Sequence, residues 1–405
     1  MTAGVGGRFL PYARQDIDAD DLAAVAESLQ SEYLTTGPTV GLFEKEFAAT
    51  VGARYAVASN SGTAALHLAC MGLDLGPGDS VVVPAVTFMA TANAARYCGA
   101  EVIFADVDPD SGLLTAETFQ AALDAHPRAA VRAVLPVHLN GHCADMPAIR
   151  AIAEPRGIAV VEDACHALGG EQAAGNNSRA PVGACALSDM ACFSLHPAKT
   201  VTSGEGGFTT TNDERAYRRM ARFRTHGITR DPAEFVYADQ AFDADGSPNP
   251  WYHELAELGF NYRITDFACA LGRSQMRRLP AFSSRRRALY DRYLELLKPL
   301  APHIRPVPAQ RGDRPVLHLC AVLIDFPAIG RSRAQAMQAL KADGIGTQVH
   351  YIPVNRQPYY RRRYGVRRLP GADAYYQRVL SIPFYSSMQD GDVDRVVDAL
   401  RRLIP

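Results

Sequence analysis

Short apolar runs alternate with amphipathic stretches over roughly the first two thirds of the chain. The spacing predicts buried strands at residues 80–83, 102–105, 131–137 and 158–161, with helices between them, for instance at 116–123 and 149–153. Such alternation is typical of a mainly parallel sheet whose two faces are covered by helices. We therefore predict an α/β fold for this part of the chain.

The pattern changes near residue 265. A long helical run rich in arginine and leucine covers residues 266–297, with a break at Pro280. After it the spacing predicts a strand at 318–324, a helix at 333–342, a strand at 346–350 and a helix at 392–403. We predict two domains: an N-terminal arm with the large domain over residues 1–265, and a small α+β domain over residues 266–405.

The first helix has a recognisable start. Asp18 stands at the N-cap position, and Asp21 follows at the third helical position. Leu22, Val25 and Leu29 then share one face at helical spacing. This predicts an amphipathic helix that begins directly after Asp18.

Lys199 lies in a loop of hydroxyls and glycines between two strand-like runs, residues 190–193 and 207–210. Burial disfavours the charged form of an amine, so a desolvated lysine can act as a nucleophile near neutral pH. Most lysines are solvated, and a surface turn is the simpler interpretation of this lysine taken alone. Two other segments of the chain favour a functional role instead.

The first of these segments is Ser61-Gly62-Thr63, which follows a short apolar strand and precedes a helix rich in alanine and leucine. The start of a helix offers free N–H groups and a positive dipole end, both of which suit a phosphate. Ser61 and Thr63 add hydroxyls, and Gly62 allows a close approach of the backbone. An ordinary helix cap has the same sequence, so this motif alone does not decide its own role.

The second segment contains Asp163, at the end of the strand-like run that begins at Ile158. A carboxylate there can keep a pyridine nitrogen protonated, which makes the ring an electron sink. The helix start, the acid and Lys199 each follow their own strand, and ligands of open α/β sheets bind at the carboxyl ends of strands. The three motifs together predict a pyridoxal phosphate site.

These motifs resemble those of the DegT/DnrJ/EryC1/StrS sugar aminotransferases, fold-type I enzymes that depend on pyridoxal phosphate. The resemblance covers nearly the whole chain and is carried by residues 34–38, 60–65, 87–91, 162–163, 205–207 and 259–263. It implies a large sheet of the seven-stranded type and a homodimer with shared active sites. Residues 194–199, 226–232 and 349–354 resemble the branch that aminates C4 of a UDP-linked 4-keto-6-deoxy-N-acetylhexosamine in pseudaminic acid biosynthesis.

The resemblance implies roles for the cofactor-binding residues. Lys199 binds the cofactor covalently and, once released, moves a proton between substrate and cofactor. Asp163 pairs with the pyridinium nitrogen, and Phe88 stacks on the ring. The predicted cofactor-binding residues are Ser61, Gly62, Thr63, Phe88, Asp163, His166, Ser194, Lys199 and Asn261, the last from the neighbouring subunit.

The same resemblance implies a nucleotide-linked keto sugar as acceptor and L-glutamate as amino donor. Arg230 and Arg263 are both candidates for bidentate pairing with the carboxylates of glutamate. The predicted substrate-binding residues are Tyr12, Glu32, Tyr33, Leu34, Thr35, Ser61, His226, Asn261, Arg263, Val349, His350, Tyr351 and Ile352. His166 and His226 could each be a structural histidine instead.

Three other functions stay open. The nearest is the same chemistry on another dTDP-, GDP- or UDP-linked keto sugar, of the perosamine, bacillosamine or antibiotic-sugar type. Related dehydratases that use pyridoxal phosphate carry histidine in place of the lysine, so Lys199 counts against that class. A non-enzymatic regulator that binds a sugar nucleotide would not need the complete set of Lys199, Asp163 and the phosphate-binding helix start.

Composition bounds the partners and the compartment. The 405 residues hold 42 Lys plus Arg and 43 Asp plus Glu, a net charge of −1, which argues against nucleic acid or an anionic membrane as partner. We find no apolar run long enough to span a bilayer and no signal-peptide core, so we predict the cytoplasm.

The eight cysteines show no paired framework, as expected of reduced thiols. His138, His142 and Cys143 lie close together, but without a C-x-x-C pair we predict no metal site.

Two short basic clusters remain. Residues 285–287 are three arginines within the predicted long helix, and a solvated helix face or a subunit contact explains them. Residues 361–363 are also three arginines, flanked by Tyr359, Tyr360 and Tyr364. This second cluster is a candidate for binding a nucleotide diphosphate.

Overall fold

A computed structural model describes residues 8–175, 178–309 and 312–405. The strands are β1 Tyr55–Ser59, β2 Ser80–Pro84, β3 Glu101–Ala105, β4 Val131–Val134, β5 Ala159–Asp163, β6 Glu171–Gly175, β7 Ser178–Pro181, β8 Met190–Ser194, β9 Gly207–Thr211, β10 Ile228–Thr229, β11 Glu254–Leu255, β12 Ile304–Pro306, β13 Cys320–Ile324 and β14 Val379–Ile382. The α-helices are α1 Ala19–Leu29, α2 Pro38–Val51, α3 Gly62–Gly72, α4 Met89–Tyr97, α5 Ala116–Asp124, α6 Met146–Ala153, α7 Glu214–Arg224, α8 Ala238–Ala241, α9 Asp266–Arg277, α10 Leu279–Leu297, α11 Arg333–Ala342, α12 Pro358–Tyr364, α13 Pro370–Arg378 and α14 Asp390–Arg401.

A seven-stranded sheet forms the centre of the large domain, in the order β1-β9-β8-β5-β4-β2-β3. Strand β9 runs antiparallel to both of its neighbours, and the contiguous pairs from β8 to β3 are parallel. Every residue of β2 and β9 is buried, as expected where helices cover both faces of a sheet. The predicted α/β fold with a mainly parallel sheet is therefore confirmed.

The strand directions bring distant parts of the chain to one edge of this sheet. The carboxyl ends of β1, β2, β5 and β8 meet there, and β9 begins there. Gly207, the first residue of β9, pairs with Ser59 on one side and with Ser194 on the other. A Cβ atom at position 207 would lie 2.4 Å from the carbonyl oxygen of Ser61, so only glycine fits between these loops.

The small domain is built on an antiparallel sheet, β12-β13-β14, against which α10, α11 and α14 pack their apolar faces. The strand predicted at residues 346–350 is wrong: only Gln348 forms a bridge there, with Ser381. The N-terminal segment takes up the neighbouring backbone groups instead. Leu10 N–H donates to the Gly344 carbonyl over 2.9 Å, and Gly346 N–H donates to the Leu10 carbonyl over 2.7 Å.

The division at residues 265 and 266 stays a prediction, and packing crosses it in two places. Leu10, from the N-terminal arm, is fully buried in the apolar core of the small domain. Helix α9 packs on α1 and α2, and its Cys269 shares a core with Phe43 of the large domain. The break in the long helical run falls at Arg278, two residues before the predicted Pro280.

Helix α1 begins after Asp18 as predicted, but its apolar face is not the face that packs. Leu22 is 66% exposed and Leu29 is 55% exposed. The buried side carries Asp21, whose carboxylate accepts hydrogen bonds from Gln275 Nε2 over 2.5 Å and from Arg278 Nη1 over 2.9 Å. A charged contact with α9 and Arg278 thus fixes this helix and turns its leucines outward.

The eight cysteines all carry free thiols, and six of them are buried. Among the described ranges, no helix combines the length and the apolar character needed to cross a membrane. The same ranges contain no cluster of three or more histidine, cysteine or acidic side chains arranged to hold a metal.

Candidate active site at the carboxyl edge of the large sheet

A cavity of about 710 Å³ opens at the edge where β1, β2, β5 and β8 end. Its wall combines side chains of both domains. The lining residues are Tyr12, Asn60, Ser61, Gly62, Thr63, Leu66, Thr87, Phe88, Ala90, Val137, Asp163, Cys165, His166, Ser194, His196, Ala198, Lys199, Glu205, His318, His350 and Tyr351. A hollow of about 790 Å³ also lies along α7, but three of its four arginines are already paired with carboxylates: Arg218 with Glu214, Arg219 with Asp74 and Arg222 with Glu234.

One end of the cavity is the start of α3. Ser61 caps this helix, because its Oγ accepts the N–H of Ala64 over 3.1 Å. The N–H groups of Gly62 and Thr63 have no acceptor in the described part of the chain, so the cavity contains the unsatisfied donors and positive dipole end of a helix. A Cβ atom on Gly62 would lie 2.7 Å from Ser194 Cβ, so glycine is needed for this close approach.

The buried Asp163 carboxylate lies at the end of β5, and two donors fix its plane. The Thr91 hydroxyl donates to Oδ2 over 2.6 Å, and the Cys165 N–H donates to Oδ1 over 3.2 Å. Thr87 in turn lies 2.7 Å from Thr91, hydroxyl to hydroxyl. Since these bonds come from the polypeptide, the carboxylate is oriented before any ligand arrives.

Glu162, the neighbour of Asp163, belongs to a separate buried network. His138 Nδ1 accepts the N–H of Ala144 over 3.1 Å, so its Nε2 carries the proton that it donates to Glu162 over 2.8 Å. Gln172 donates a second hydrogen bond to the same carboxylate over 3.1 Å. His138 therefore helps to hold β5 in place through the side chain of Glu162.

Lys199 lies half-buried in the cavity. Burial lowers the pKa of its amine below the usual 10.5, although the Cys165 and Asp163 side chains oppose that shift. The chain has four lysines, and the other three, Lys45, Lys298 and Lys341, are exposed on helices or turns away from the cavity. Lys199 is thus the one amine placed to react with a carbonyl compound bound here.

Residues of both domains form a wall of uncharged donors on one side of the cavity. His166 Nδ1 accepts the N–H of Asn140 over 3.2 Å, so its Nε2 is the protonated atom and donates to the Tyr351 hydroxyl over 3.2 Å. Burial holds the pKa of His166 well below its usual range and lowers that of His350 to about 4. Nearby Lys199 adds to both shifts. These histidines are therefore neutral at neutral pH.

Phe88 stands at the rim, 50% exposed, with its ring 6.0 Å from the ring of Tyr351. A smaller hollow of about 260 Å³ continues the cavity past these two side chains. Val349 and Ile352, both predicted to bind substrate, line this hollow together with Tyr12. The site therefore has an inner chamber and an outer extension.

Several predicted residues do not line this cavity. Glu32, Tyr33, Leu34, Thr35, Asn261 and Arg263 lie on the surface. Together with Phe260, which was not predicted to bind a ligand, we call them the surface patch. They come from two segments held side by side: the Leu34 carbonyl accepts the N–H of Asp266 over 2.9 Å, and Thr35 bridges Thr265.

His226 and Arg230 are also exposed outside the cavity, after the C-terminus of α7. The His226 N–H donates to the Phe260 carbonyl over 2.8 Å, which places this residue next to the surface patch.

The structure also reveals residues in or behind the cavity wall that the sequence motifs did not single out. Thr91 orients Asp163, and its signal was the Thr87-Phe88-Met89-Ala90-Thr91 motif, in which only Phe88 received a role. His318 is buried in the wall, with its ring 4.6 Å from that of His166. A single histidine at the start of an apolar strand carries no signal that separates a ligand-facing side chain from a core one.

The residues present fit pyridoxal phosphate. The start of α3 can hold a phosphate, and the glycine there leaves the space that a Cβ atom would fill. An oriented carboxylate lies at the end of β5, and a half-buried amine faces the space between them. The fold and this site define a fold-type I enzyme of the kind that uses pyridoxal phosphate.

Comparison with known proteins identifies the family. The model of the DegT/DnrJ/EryC1/StrS aminotransferase family matches residues 15–401. The spore coat polysaccharide biosynthesis protein SpsC of Bacillus subtilis is 37% identical over 399 residues, which are 98% of this chain and 97% of SpsC. The chain belongs to this family of sugar aminotransferases, and its cofactor is pyridoxal phosphate.

Solved structures agree with this fold. PseC of Helicobacter pylori, an aminotransferase involved in the biosynthesis of pseudaminic acid, superposes with a TM-score of 0.86 at 24% identity, over 98% of this chain and 99% of PseC. The sugar aminotransferase Spr1654 of Streptococcus pneumoniae, in its PLP form, superposes with a TM-score of 0.85 at 24% identity, over 98% of this chain and all of Spr1654. The predicted fold class is confirmed by these likenesses.

Proposed function

We propose that this protein transfers an amino group from L-glutamate to C4 of a nucleotide-linked 4-keto-6-deoxy sugar. The preferred acceptor is UDP-2-acetamido-2,6-dideoxy-β-L-arabino-hex-4-ulose, a sugar of pseudaminic acid biosynthesis. The observation that carries the proposal is the single cavity that contains Lys199, Asp163 and the start of α3. Bound pyridoxal phosphate would supply the electron sink on which the amino group is carried.

The chain's own residues have separate tasks in this reaction. The N–H groups of Gly62 and Thr63 and the Ser194 hydroxyl bind the phosphate. The Asp163 carboxylate, held by Thr91, would pair with the ring nitrogen of the cofactor and keep it protonated. The Lys199 amine has a lowered pKa, so a larger share of it is neutral at neutral pH and can accept a proton from the substrate carbon.

The small-domain wall fits a neutral sugar ring. Neutral His350 and the Tyr351 hydroxyl can donate hydrogen bonds to hydroxyl or carbonyl oxygens without an ion pair. The outer extension, with Val349 and Ile352, is open toward the part of the ligand beyond the sugar.

The choice of sugar rests on the motifs at residues 194–199, 226–232 and 349–354. The name of SpsC points to a polysaccharide pathway and that of PseC to pseudaminic acid, so both are consistent with an activated sugar as substrate. The alternative acceptor is another dTDP-, GDP- or UDP-linked keto sugar, because the cavity residues that perform the chemistry would be the same.

We propose further that the active enzyme is a homodimer in the cytoplasm, in which the surface patch of one subunit completes the cavity of the other. Two features support this arrangement. The patch contains residues predicted to bind cofactor and substrate, yet it lies outside the cavity of its own chain. It also exposes three large apolar side chains: Tyr33 is 52%, Leu34 48% and Phe260 38% exposed. Arg230 and Arg263 are the candidates for the glutamate carboxylates.

The test is a coupled assay of the purified protein loaded with pyridoxal phosphate. L-Glutamate and a panel of UDP-, dTDP- and GDP-linked 4-keto sugars would be supplied, 2-oxoglutarate would be measured, and the product would be identified by NMR. Turnover with the UDP-linked β-L-arabino 4-keto sugar is expected. Turnover with a different sugar would overturn the pseudaminic acid assignment, and release of no more than one equivalent of 2-oxoglutarate per active site with every sugar would contradict the proposed sugar class.

A further inference from the structure

A strongly basic segment lies outside the active site. Residues 356–368 contain six arginines and no acidic residue, in a chain whose net charge is −1. Four of these arginines surround a cavity of about 300 Å³, which has the volume of a small ligand site. The lining residues are Asn355, Arg356, Arg361, Val366, Arg367, Arg368 and Asp373, and none of them lines the cofactor cavity.

Helix α12 divides the arginines of residues 361–363 between two surfaces. Arg361 faces the 300 Å³ cavity, whereas Arg362 and Arg363 face a separate hollow beside Glu101. Arg363 forms a two-pronged ion pair with Glu101. The three arginines therefore do not act as one cluster, and Arg361 joins residues that are later in the chain.

One charge in the cavity is neutralised. Arg356 pairs with Asp373, and its guanidinium carbon also lies 5.3 Å from the centre of the Tyr376 ring. This arginine is held in place and already satisfied.

Three charges stay uncompensated. Arg367 Nη1 lies 2.5 Å from His126 Nε2, but His126 Nδ1 is bonded to the Ala122 carbonyl over 2.8 Å and so carries the ring proton. His126 is thus a neutral acceptor, which does not cancel the charge on Arg367. Arg361 and Arg368 have no side-chain hydrogen bond or ion pair with any residue that the structure describes. Three guanidinium groups thus surround one concave space.

A buried acceptor completes the site. Asn355 is 7% exposed, and its Nδ2 donates to the Arg367 carbonyl over 3.1 Å. Its Oδ1 has no partner among the described residues. A buried oxygen without a donor is costly, so a ligand that places a hydroxyl or amine there would recover a hydrogen bond.

We propose that this cavity, which we call the arginine site, binds a phosphate or diphosphate group of a small metabolite that also carries a hydroxyl or amino donor. Guanidinium groups match the oxygens of phosphate in pairs, and three of them exceed what one phosphate dianion needs for neutrality. The donor of the ligand would bond to Asn355 Oδ1. Only four residues separate the segment from Tyr351 in the active-site wall, so a ligand in the arginine site would be close to that wall along the chain.

Calorimetric titration of the protein loaded with pyridoxal phosphate tests this proposal. Loading occupies the phosphate-binding start of α3, so inorganic diphosphate added as probe cannot bind there. We expect saturable binding that weakens about tenfold or more between 50 and 200 mM salt, since multiple charge contacts are screened. The R361Q/R368Q double variant should lose at least tenfold in affinity, whereas R362Q, which changes the charge on the other side of α12, should bind as the unaltered protein does.

Two further comparisons make the proposal falsifiable. Equal diphosphate affinity in R361Q/R368Q and R362Q, with both variants unfolding at the temperature of the unaltered protein, would overturn the site. A hexose 1-phosphate should bind more tightly than inorganic phosphate because it can donate to Asn355, and equal affinities would overturn that part of the proposal. Tighter binding of uridine diphosphate than of the hexose phosphate, with the difference lost in R361Q/R368Q, would identify a nucleotide as the source of the phosphate at the arginine site.

Discussion

The cavity and the surface patch differ in how completely one chain builds them. In the cavity, Asp163 and the start of α3 are oriented by hydrogen bonds that the same chain supplies. In the patch, the side chains of Tyr33 and Asn261 are exposed and form no hydrogen bond with any residue that the structure describes. The cavity is therefore ready to hold the cofactor in a single chain. The patch has a function only against a second molecule, which in our proposal is a second copy of this chain.

This difference separates the residues suited to catalysis from those suited to recognising a partner or substrate. The cofactor residues follow strands of one sheet, so their mutual geometry is rigid. The patch residues lie on loops next to the start of α9, where a partner can adjust them. Substitutions in the cavity should accordingly affect the chemical step, and substitutions in the patch should affect substrate affinity and assembly.

The largest expected effect belongs to Lys199. Lys199→Ala should abolish covalent cofactor attachment and lower turnover by about 10⁴ or more, because both the nucleophile and the proton acceptor are lost. The measurement is the visible absorbance of the loaded protein, followed by 2-oxoglutarate release. Lys45→Ala, an exposed lysine on α2, is the control. Retention of normal turnover by Lys199→Ala would refute the assigned role.

Asp163→Asn should come next, with turnover lowered by about 10²–10³, because the amide keeps the shape of the carboxylate but not its charge. The half-reaction with glutamate, followed by stopped-flow absorbance, isolates this step. Glu162→Gln is the matched control on the same strand. It should reduce stability through the His138 contact and leave the rate per folded molecule unchanged. If Glu162→Gln lowered the rate as much as Asp163→Asn does, the effect of Asp163→Asn would reflect a disturbed strand and not the loss of the carboxylate charge.

Tyr33→Ala in the patch should raise the KM for the sugar nucleotide about tenfold and weaken self-association, with a smaller change in kcat. Sedimentation velocity and steady-state kinetics measure the two effects. Tyr359→Ala removes a tyrosine of similar exposure from α12 and serves as control. Unchanged association and KM in Tyr33→Ala would mean that the patch is ordinary surface.

The smallest effect concerns pH. Burial lowers the pKa of Lys199 below 10.5 in the folded protein, so the unfolded chain binds the proton more tightly. The cofactor-free protein therefore loses stability as the pH falls from 10.5 toward the lowered pKa. Lys199→Met has no such group, so its stability advantage over the unaltered protein should be larger at pH 7 than at pH 10. Denaturant unfolding at both pH values measures this, and a constant difference would contradict a lowered pKa.

The features that could be predicted from the sequence are those that depend on residues close together in the chain. Lys199, Asp163 and Ser61 could be predicted because each stands next to its own strand, and the direction of the strands brings them together. The orientation of α1 could not be predicted from its leucines, because it depends on a contact between Asp21 and Arg278, which are 257 residues apart.

The same reason explains the missing strand at residues 346–350. Its local pattern is strand-like, but the N-terminal segment at Leu10 occupies the backbone groups nearby. The patch shows a different limit, since its predicted residues could be chosen from motifs, but for all of them except Asn261 the motifs gave no sign that they lie outside the cavity of their own chain. His318 was missed because its signal is indistinguishable from that of a core residue.

The measurement that tests the central claim most directly is subunit complementation. Two variant chains, the inactive Lys199→Ala and the weakened double variant Tyr33→Ala/Asn261→Ala, would be mixed under conditions that allow exchange, and aminotransfer would be assayed at a sugar concentration below KM. If each cavity is completed by the patch of the other subunit, half of the dimers are mixed and each contains one intact site, so activity should recover to about a quarter of that of the unaltered enzyme. No recovery on mixing, with exchange verified by a tag, would contradict the account.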